Sequence, residues 1–102
     1  MTESEYQLLA DQTLNTIETY LESQEDKYDF EFETTGGVLT IFFENKTKIV
    51  INKQAPMREM WLAAKSGGYH FQYQAEQKCW FSQRDQIEFF ACLAQNIMTQ
   101  AG

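Results

Sequence analysis

Between Glu18 and Glu33 the chain reads ETYLESQEDKYDFEFE, which sets seven carboxylates, Glu18, Glu22, Glu25, Asp26, Asp29, Glu31 and Glu33, against a single base, Lys27. Carboxylates with no histidine or cysteine among them are hard ligands, suited to Ca²⁺, Mg²⁺, Mn²⁺ and iron ions and poor at selecting among them. The stretch lacks the D-x-D-x-D-G spacing that wraps one Ca²⁺ in a loop. It therefore predicts shallow, water-rich sites that hold several ions weakly, so that one divalent cation can replace another. Like charge crowded this closely works against the fold, and a bound cation would relieve it. The competing reading is a solvated acidic face that serves solubility.

The other reactive side chains stand alone. His70 lies between Tyr69 and Phe71, so on a strand it faces away from both. No second histidine and no nucleophile motif accompanies it, which predicts a surface residue and no catalytic centre. Cys79 and Cys92 are too far apart for a CxxC motif and match no zinc framework; they read as two reduced thiols. Trp61, in PMREMWLAAK, is a stronger candidate. On an alternating strand Trp61 and Leu62 face opposite ways, so one of these large apolar side chains lies on the open side. An exposed tryptophan there would be an interface anchor.

The elements that must position these residues can be read from periodicity. From Ser4 to about Gln24, Tyr6, Leu9, Ala10, Leu14, Ile17 and Leu21 recur at helical spacing, with Thr2 or Ser4 available as the cap. Asp11, Glu18, Glu22 and Glu25 fall in one stripe flanking that apolar face, which places them along the rim where helix meets sheet. Tyr28 to Glu33 alternates strictly, with Tyr28, Phe30 and Phe32 inward and Asp29, Glu31 and Glu33 outward, a pattern suited to an edge strand. Gly36-Gly37 marks a turn into a strand over Val38 to Phe43, and Asn45-Lys46 a hairpin tip into a strand over Lys48 to Asn52. Strands over Met60 to Ala63, Tyr69 to Tyr73 and Cys79 to Phe81 follow, joined through Pro56, Ser66-Gly67-Gly68 and the loop Ala75 to Lys78. Ser82 with Asp85, or Asp85 with Glu88, has the spacing of a capping box for a second helix, whose buried face is Phe89, Phe90, Leu93, Ala94, Ile97 and Met98. Tight turns force antiparallel neighbours. The expected fold class is α+β, a two-layer sandwich with both helices on one face of an antiparallel sheet of about six strands.

The 102 residues are 43% hydrophobic and 15% aromatic, enough for one compact core, and one domain over 1–102 is expected. Residues 1–33 hold ten acids and one base; residues 34–102 hold five acids and seven bases. The acidity thus belongs to one third of the molecule. Net charge of this sign argues against nucleic acid and anionic membrane as partners and favours cations and basic proteins. No stretch has the length of a membrane span and the start MTESEYQ has neither signal-peptide nor presequence character, so a cytoplasmic location is expected.

The run GGVLTIFFENKTKIVINKQAPMREMWLAAKSGGYHF, Gly36 to Phe71, resembles the frataxin family, and SGGYHF resembles its bacterial members. The most specific part is N-x-Q-x-P-x-x-x-x-W-L, formed by Asn52, Gln54, Pro56, Trp61 and Leu62, and the likeness extends over essentially the whole chain. It implies the sandwich already reached from periodicity. It also implies a role in iron handling and iron-sulfur cluster assembly, with Fe²⁺ and Fe³⁺ held on an acidic ridge of Glu18, Glu22, Glu25, Asp29, Glu31 and Glu33. The implied partners are the cysteine desulfurase and the iron-sulfur scaffold protein, met through Glu18 and Glu22 on the ridge and Asn52, Gln54 and Trp61 on the sheet. A monomer is expected without metal, with iron-dependent oligomers left open. Thr19, Ser23 and Lys27 stand where relatives often have acids, and Glu59 where many have glutamine. Two other readings are a ferroxidase or iron-storage activity, against which no Glu-x-x-His pair is present, and a metal-independent acidic adaptor.

Overall fold

The computed structural model describes residues 1–102. Helix α1 runs over Glu3–Gln24. Its N-terminus is a reciprocal capping box: the Glu5 N–H donates to Thr2 Oγ1 at 3.1 Å, and the Thr2 N–H donates to Glu5 Oε1 at 2.8 Å. Tyr6, Ala10, Leu14, Ile17 and Leu21 form its buried stripe.

Seven strands follow, β1 (Phe30–Thr35), β2 (Val38–Phe43), β3 (Lys48–Gln54), β4 (Glu59–Ala64), β5 (Gly67–Gln74), β6 (Cys79–Ser82) and β7 (Ile87–Glu88). They form one sheet in chain order with every neighbour antiparallel, so β1 is an edge. Gly36 and Gly37, at φ of 58° and 79°, make the two-residue loop between β1 and β2. Both central residues at positive φ is the turn whose twist suits a tight hairpin. A single 3₁₀ turn, Ala55–Met57, carries Pro56 between β3 and β4.

Helix α2 covers Phe89–Ala101. Two expectations for this end of the chain are corrected. Ser82 and Asp85 do not open the helix; the Asp85 N–H donates to Ser82 Oγ within the β6–β7 turn, and the extra strand β7 intervenes. The cap is Glu88, whose carboxylate accepts from the Phe90 and Ala91 N–H groups at 2.9 and 3.1 Å. The buried face of α2 is Phe89, Cys92, Leu93, Asn96, Ile97 and Gln100, while Met98 is exposed and Phe90 and Ala94 are half-buried. Hydropathy missed the polar members because they are buried as hydrogen-bonding ties. The Gln100 side chain accepts from the Lys65 N–H at 2.9 Å and donates to Thr47 Oγ1 and the Lys48 carbonyl, fastening two hairpin ends to α2.

One core of eighteen buried residues joins the helices to the inner face of the sheet, including Leu39, Ile41, Ile49, Ile51, Met60 and Leu62. Polar groups within it are matched: Trp80 Nε1–H donates to Thr13 Oγ1 at 2.8 Å, and the Tyr6 hydroxyl donates to the Glu59 carbonyl at 2.7 Å. The outer face of the sheet is covered by no element. No helix is long and apolar enough to cross a membrane.

Candidate functional site: an acidic rim and an open sheet face

The seven carboxylates lie where α1 ends and β1 begins. Glu18 and Glu22 are on the last turns of α1, Glu25 is its C-cap, Asp26 is in the turn after it, and Asp29 immediately precedes β1. Glu31 and Glu33 are on β1 and exposed, between half-buried Phe30 and Phe32 that pack on the core. Strand β1 starts two residues later than the alternation suggests. Tyr28 sits in a bend instead, still packed against the core.

None of the seven is neutralised by a base. The ion pairs of the molecule are Lys53–Asp11, His70–Glu59 and Arg84–Asp85. Lys27, the base inside the acidic stretch, has its ammonium 5.5 Å from the centroid of the Tyr28 ring and pairs with no carboxylate. Asp11, expected in the same stripe, is set apart by its 2.7 Å contact with Lys53. Acids at the C-terminal end of α1, with no basic residue in the last turn, also oppose the helix dipole.

The carboxylates do not converge. No three of His, Cys, Asp or Glu come together closely enough to chelate one ion. The alternation of β1 explains why: helices occupy the face toward which Phe30 and Phe32 point, so Glu31 and Glu33 point to the other. The rim therefore has two banks, Glu18 and Glu22 on the helix side and Glu31 and Glu33 on the open side. One bond ties α1 to the edge strand, from the Thr34 hydroxyl to Glu18 Oε2 at 2.6 Å, and Glu18 is the only half-buried member.

At the lower end of the rim is a groove of about 450 Å³ lined by Asp29, Phe30, Glu31, Phe42, Phe43 and Glu44. Glu44 was not among the sequence candidates, yet the hairpin register announces it. A two-residue loop at Gly36-Gly37 places Phe30 opposite Phe43 and Glu31 opposite Phe42, so Glu44 comes beside Asp29. Phe42, 41% exposed, stands between carboxylates on the open face.

The residues expected on the sheet surface are brought together. Asn52, opposite Trp61 in the register, and Gln54, opposite Glu59, lie on the open face of β3, and both are half-buried. Trp61 faces outward and Leu62 inward, which resolves their alternation. The indole is half-buried because the exposed His70 ring stacks on it, 4.4 Å between centroids and 8° between planes. Glu59, next to them, is a buried carboxylate on a face open to water. Its involvement was not foreseen, because a strand-terminal acid reads as exposed from sequence. Cys79 is half-buried; Cys92 is buried, and burial pushes its thiol up to about 11.

Three comparisons bear on this arrangement. A family model described as the frataxin-like domain matches residues 1–102. An iron-sulfur cluster assembly protein CyaY of Herminiimonas arsenicoxydans is 50% identical over 105 residues, covering 100% of this chain and 92% of that relative. Among solved structures, the frataxin of Psychromonas ingrahamii superposes with a TM-score of 0.88 at 36% identity, over 99% of this chain and 92% of the other. A trimeric frataxin of the yeast Saccharomyces cerevisiae, complexed with ferrous iron, gives 0.78 at 26% identity, over 91% and 85%.

Proposed function

This chain belongs to the frataxin-like family, and from that membership we propose that it binds iron as cargo on the acidic rim and regulates iron-sulfur cluster assembly by docking on the cysteine desulfurase and its scaffold protein. The observation that carries the reading is a rim of seven carboxylates, none of them paired with a base. A protein that needed those acids only for solubility would gain by spreading them, since packed like charge weakens the fold.

Glu18, Glu22, Glu25, Asp26, Asp29, Glu31 and Glu33 are the proposed ligands. Because no three of them converge, each Fe²⁺ or Fe³⁺ is held by one or two carboxylates and otherwise by water, in hard-ligand sites of low affinity that other divalent cations can enter. The same negative field attracts a basic surface on the desulfurase, with Glu18 and Glu22 at the contact, and Asn52, Gln54 and Trp61 on the open face are a second surface for the desulfurase–scaffold complex. Such docking depends on long-range charge, so it weakens as salt shortens the Debye length. Self-association with iron bound is a further state of this proposal, in keeping with a yeast relative that is trimeric and complexed with ferrous iron.

The decisive test is the double variant Glu18→Lys with Glu22→Lys, titrated against purified desulfurase at low salt. Binding is expected to fall by more than about a hundredfold, since reversed charges repel where they attracted, with the circular dichroism of the fold unchanged. Undiminished affinity would refute electrostatic docking through the rim. A separate titration with Fe²⁺, followed by NMR, is expected to perturb residues 18–33 first.

A further inference from the structure

The open face of the sheet holds a carboxylate whose placement is unlike any on the rim. Glu59 is 8% exposed. Its Oε1 accepts from the Trp61 indole N–H at 2.8 Å, its Oε2 accepts from the Gln72 side-chain amide, and His70 Nδ1 lies 3.8 Å from Oε1. The nearby cations are engaged elsewhere: Arg58 donates to the Ala55 carbonyl at 2.8 Å, and Arg84 to the Gly68 carbonyl and to Asp85.

An ionised carboxylate only accepts hydrogen bonds. It therefore dictates the orientation of both neighbours. The indole must turn its N–H toward Glu59, and the Gln72 amide must present its NH₂ group there, which leaves its oxygen facing away. A glutamine at position 59 could satisfy the indole equally well, but it would not impose one orientation on Gln72. The stacked His70 ring then lies against an indole that is already fixed.

We propose that Glu59 is a positioning residue for docking on the open face. It locks Trp61 and Gln72 so that the patch meets its partner preformed, with its donors spent inward and an acceptor turned outward. Fixing side chains before contact removes their ordering cost from association. The matching group on the partner is a donor-bearing cationic side chain, an arginine or lysine, that can lie against the Trp61–His70 stack. This rests on the reading above that the sheet face is a docking surface.

The test joins indole N–H resonances to binding of the purified desulfurase–scaffold complex. The chain has two tryptophans, and the indole N–H of Trp80, donated to Thr13 in the interior, serves as internal reference. Glu59→Ala is expected to move the Trp61 resonance, leave that of Trp80 in place, and weaken binding by about tenfold, the scale of one lost bond to a charged acceptor. Glu59→Gln, which keeps an acceptor oxygen for the indole but frees Gln72, is expected to return the Trp61 resonance and to restore binding only in part, to about threefold weaker than wild type. Wild-type affinity for Glu59→Ala overturns the proposal, as does a Glu59→Gln variant that regains the resonance and still binds like Glu59→Ala. If Trp61→Ala itself binds like wild type, the docking surface lies elsewhere, and the underlying reading fails together with the role given to Glu59.

Discussion

The acidic rim and the acid of the open face show two ways a protein can hold negative charge. On the rim, seven carboxylates, six exposed and Glu18 half-buried, are unpaired by any base and divided between two banks. On the sheet, one carboxylate is buried, and two neutral donors and an imidazole surround it. Position matters little for the first kind and is everything for the second. Charge acting through water attracts at distances approaching a Debye length of about 8 Å and tolerates imprecise side chains. A desolvated charge must have each lone pair met or the fold loses stability.

The contrast predicts that the two regions respond differently to the same operations. The largest difference is expected between charge reversal on the rim and truncation on the sheet. Glu18→Lys with Glu22→Lys removes most desulfurase affinity, whereas Trp61→Ala weakens binding to the desulfurase–scaffold complex by about tenfold, as for a single anchor residue. Isothermal titration at low and high salt separates them further: raising salt erodes the wild-type affinity but leaves the fold-loss caused by Trp61→Ala nearly constant. If both effects vanish together at high salt, the sheet contributes no contact independent of charge.

Much of this division was legible beforehand. The alternation of Phe30, Glu31, Phe32 and Glu33 identified an edge strand and its outward face, and the helical stripe placed Glu18 and Glu22 beside it. What could not be read was depth. Trp61 had two possible directions until the register set it opposite Asn52 and His70. Glu59 gave no sign of being buried, because its shielding comes from side chains on β4 and β5 that only the folded sheet assembles. On helix α2, Met98 was expected inward and is exposed, while Gln100 is buried because its capacity to bond across to Thr47, Lys48 and Lys65 outweighs hydropathy.

A smaller effect concerns stability. Glu22→Gln with Glu25→Gln removes two charges that oppose the dipole of α1, so the variant is expected to unfold at a higher urea concentration, gaining about 0.5–1 kcal/mol at low ionic strength. A stability loss would mean that rim acids make bonds absent from this structure. Burial likewise separates the thiols. With Cys92 pushed up to about 11 by burial, a thiol reagent at neutral pH is expected to modify Cys79 first in the native state, with Cys92 following only on unfolding; mass spectrometry of the peptides decides this.

The smallest expected change lies at the start of α1. Bonds to the Thr2 backbone and hydroxyl hold the Glu5 carboxyl below its ordinary value. A group lowered in the folded state contributes its stability above its unfolded value and loses it as pH falls through the folded one. Acid titration should therefore fray the first turn of α1 in wild type, while Glu5→Gln shows no such step; amide exchange at Glu5 and Tyr6 reports it.

The glycine pair between β1 and β2 has a bearing beyond its own geometry. Its two-residue span decides which side of the edge strand meets water, since a slip by a single position would evert the strand, drive Glu31 and Glu33 toward the helices and turn Phe30 and Phe32 outward. Length is therefore the one variable that this loop cannot relax. The placement of the outer bank of the acidic rim is inherited from two residues that have no side chains at all.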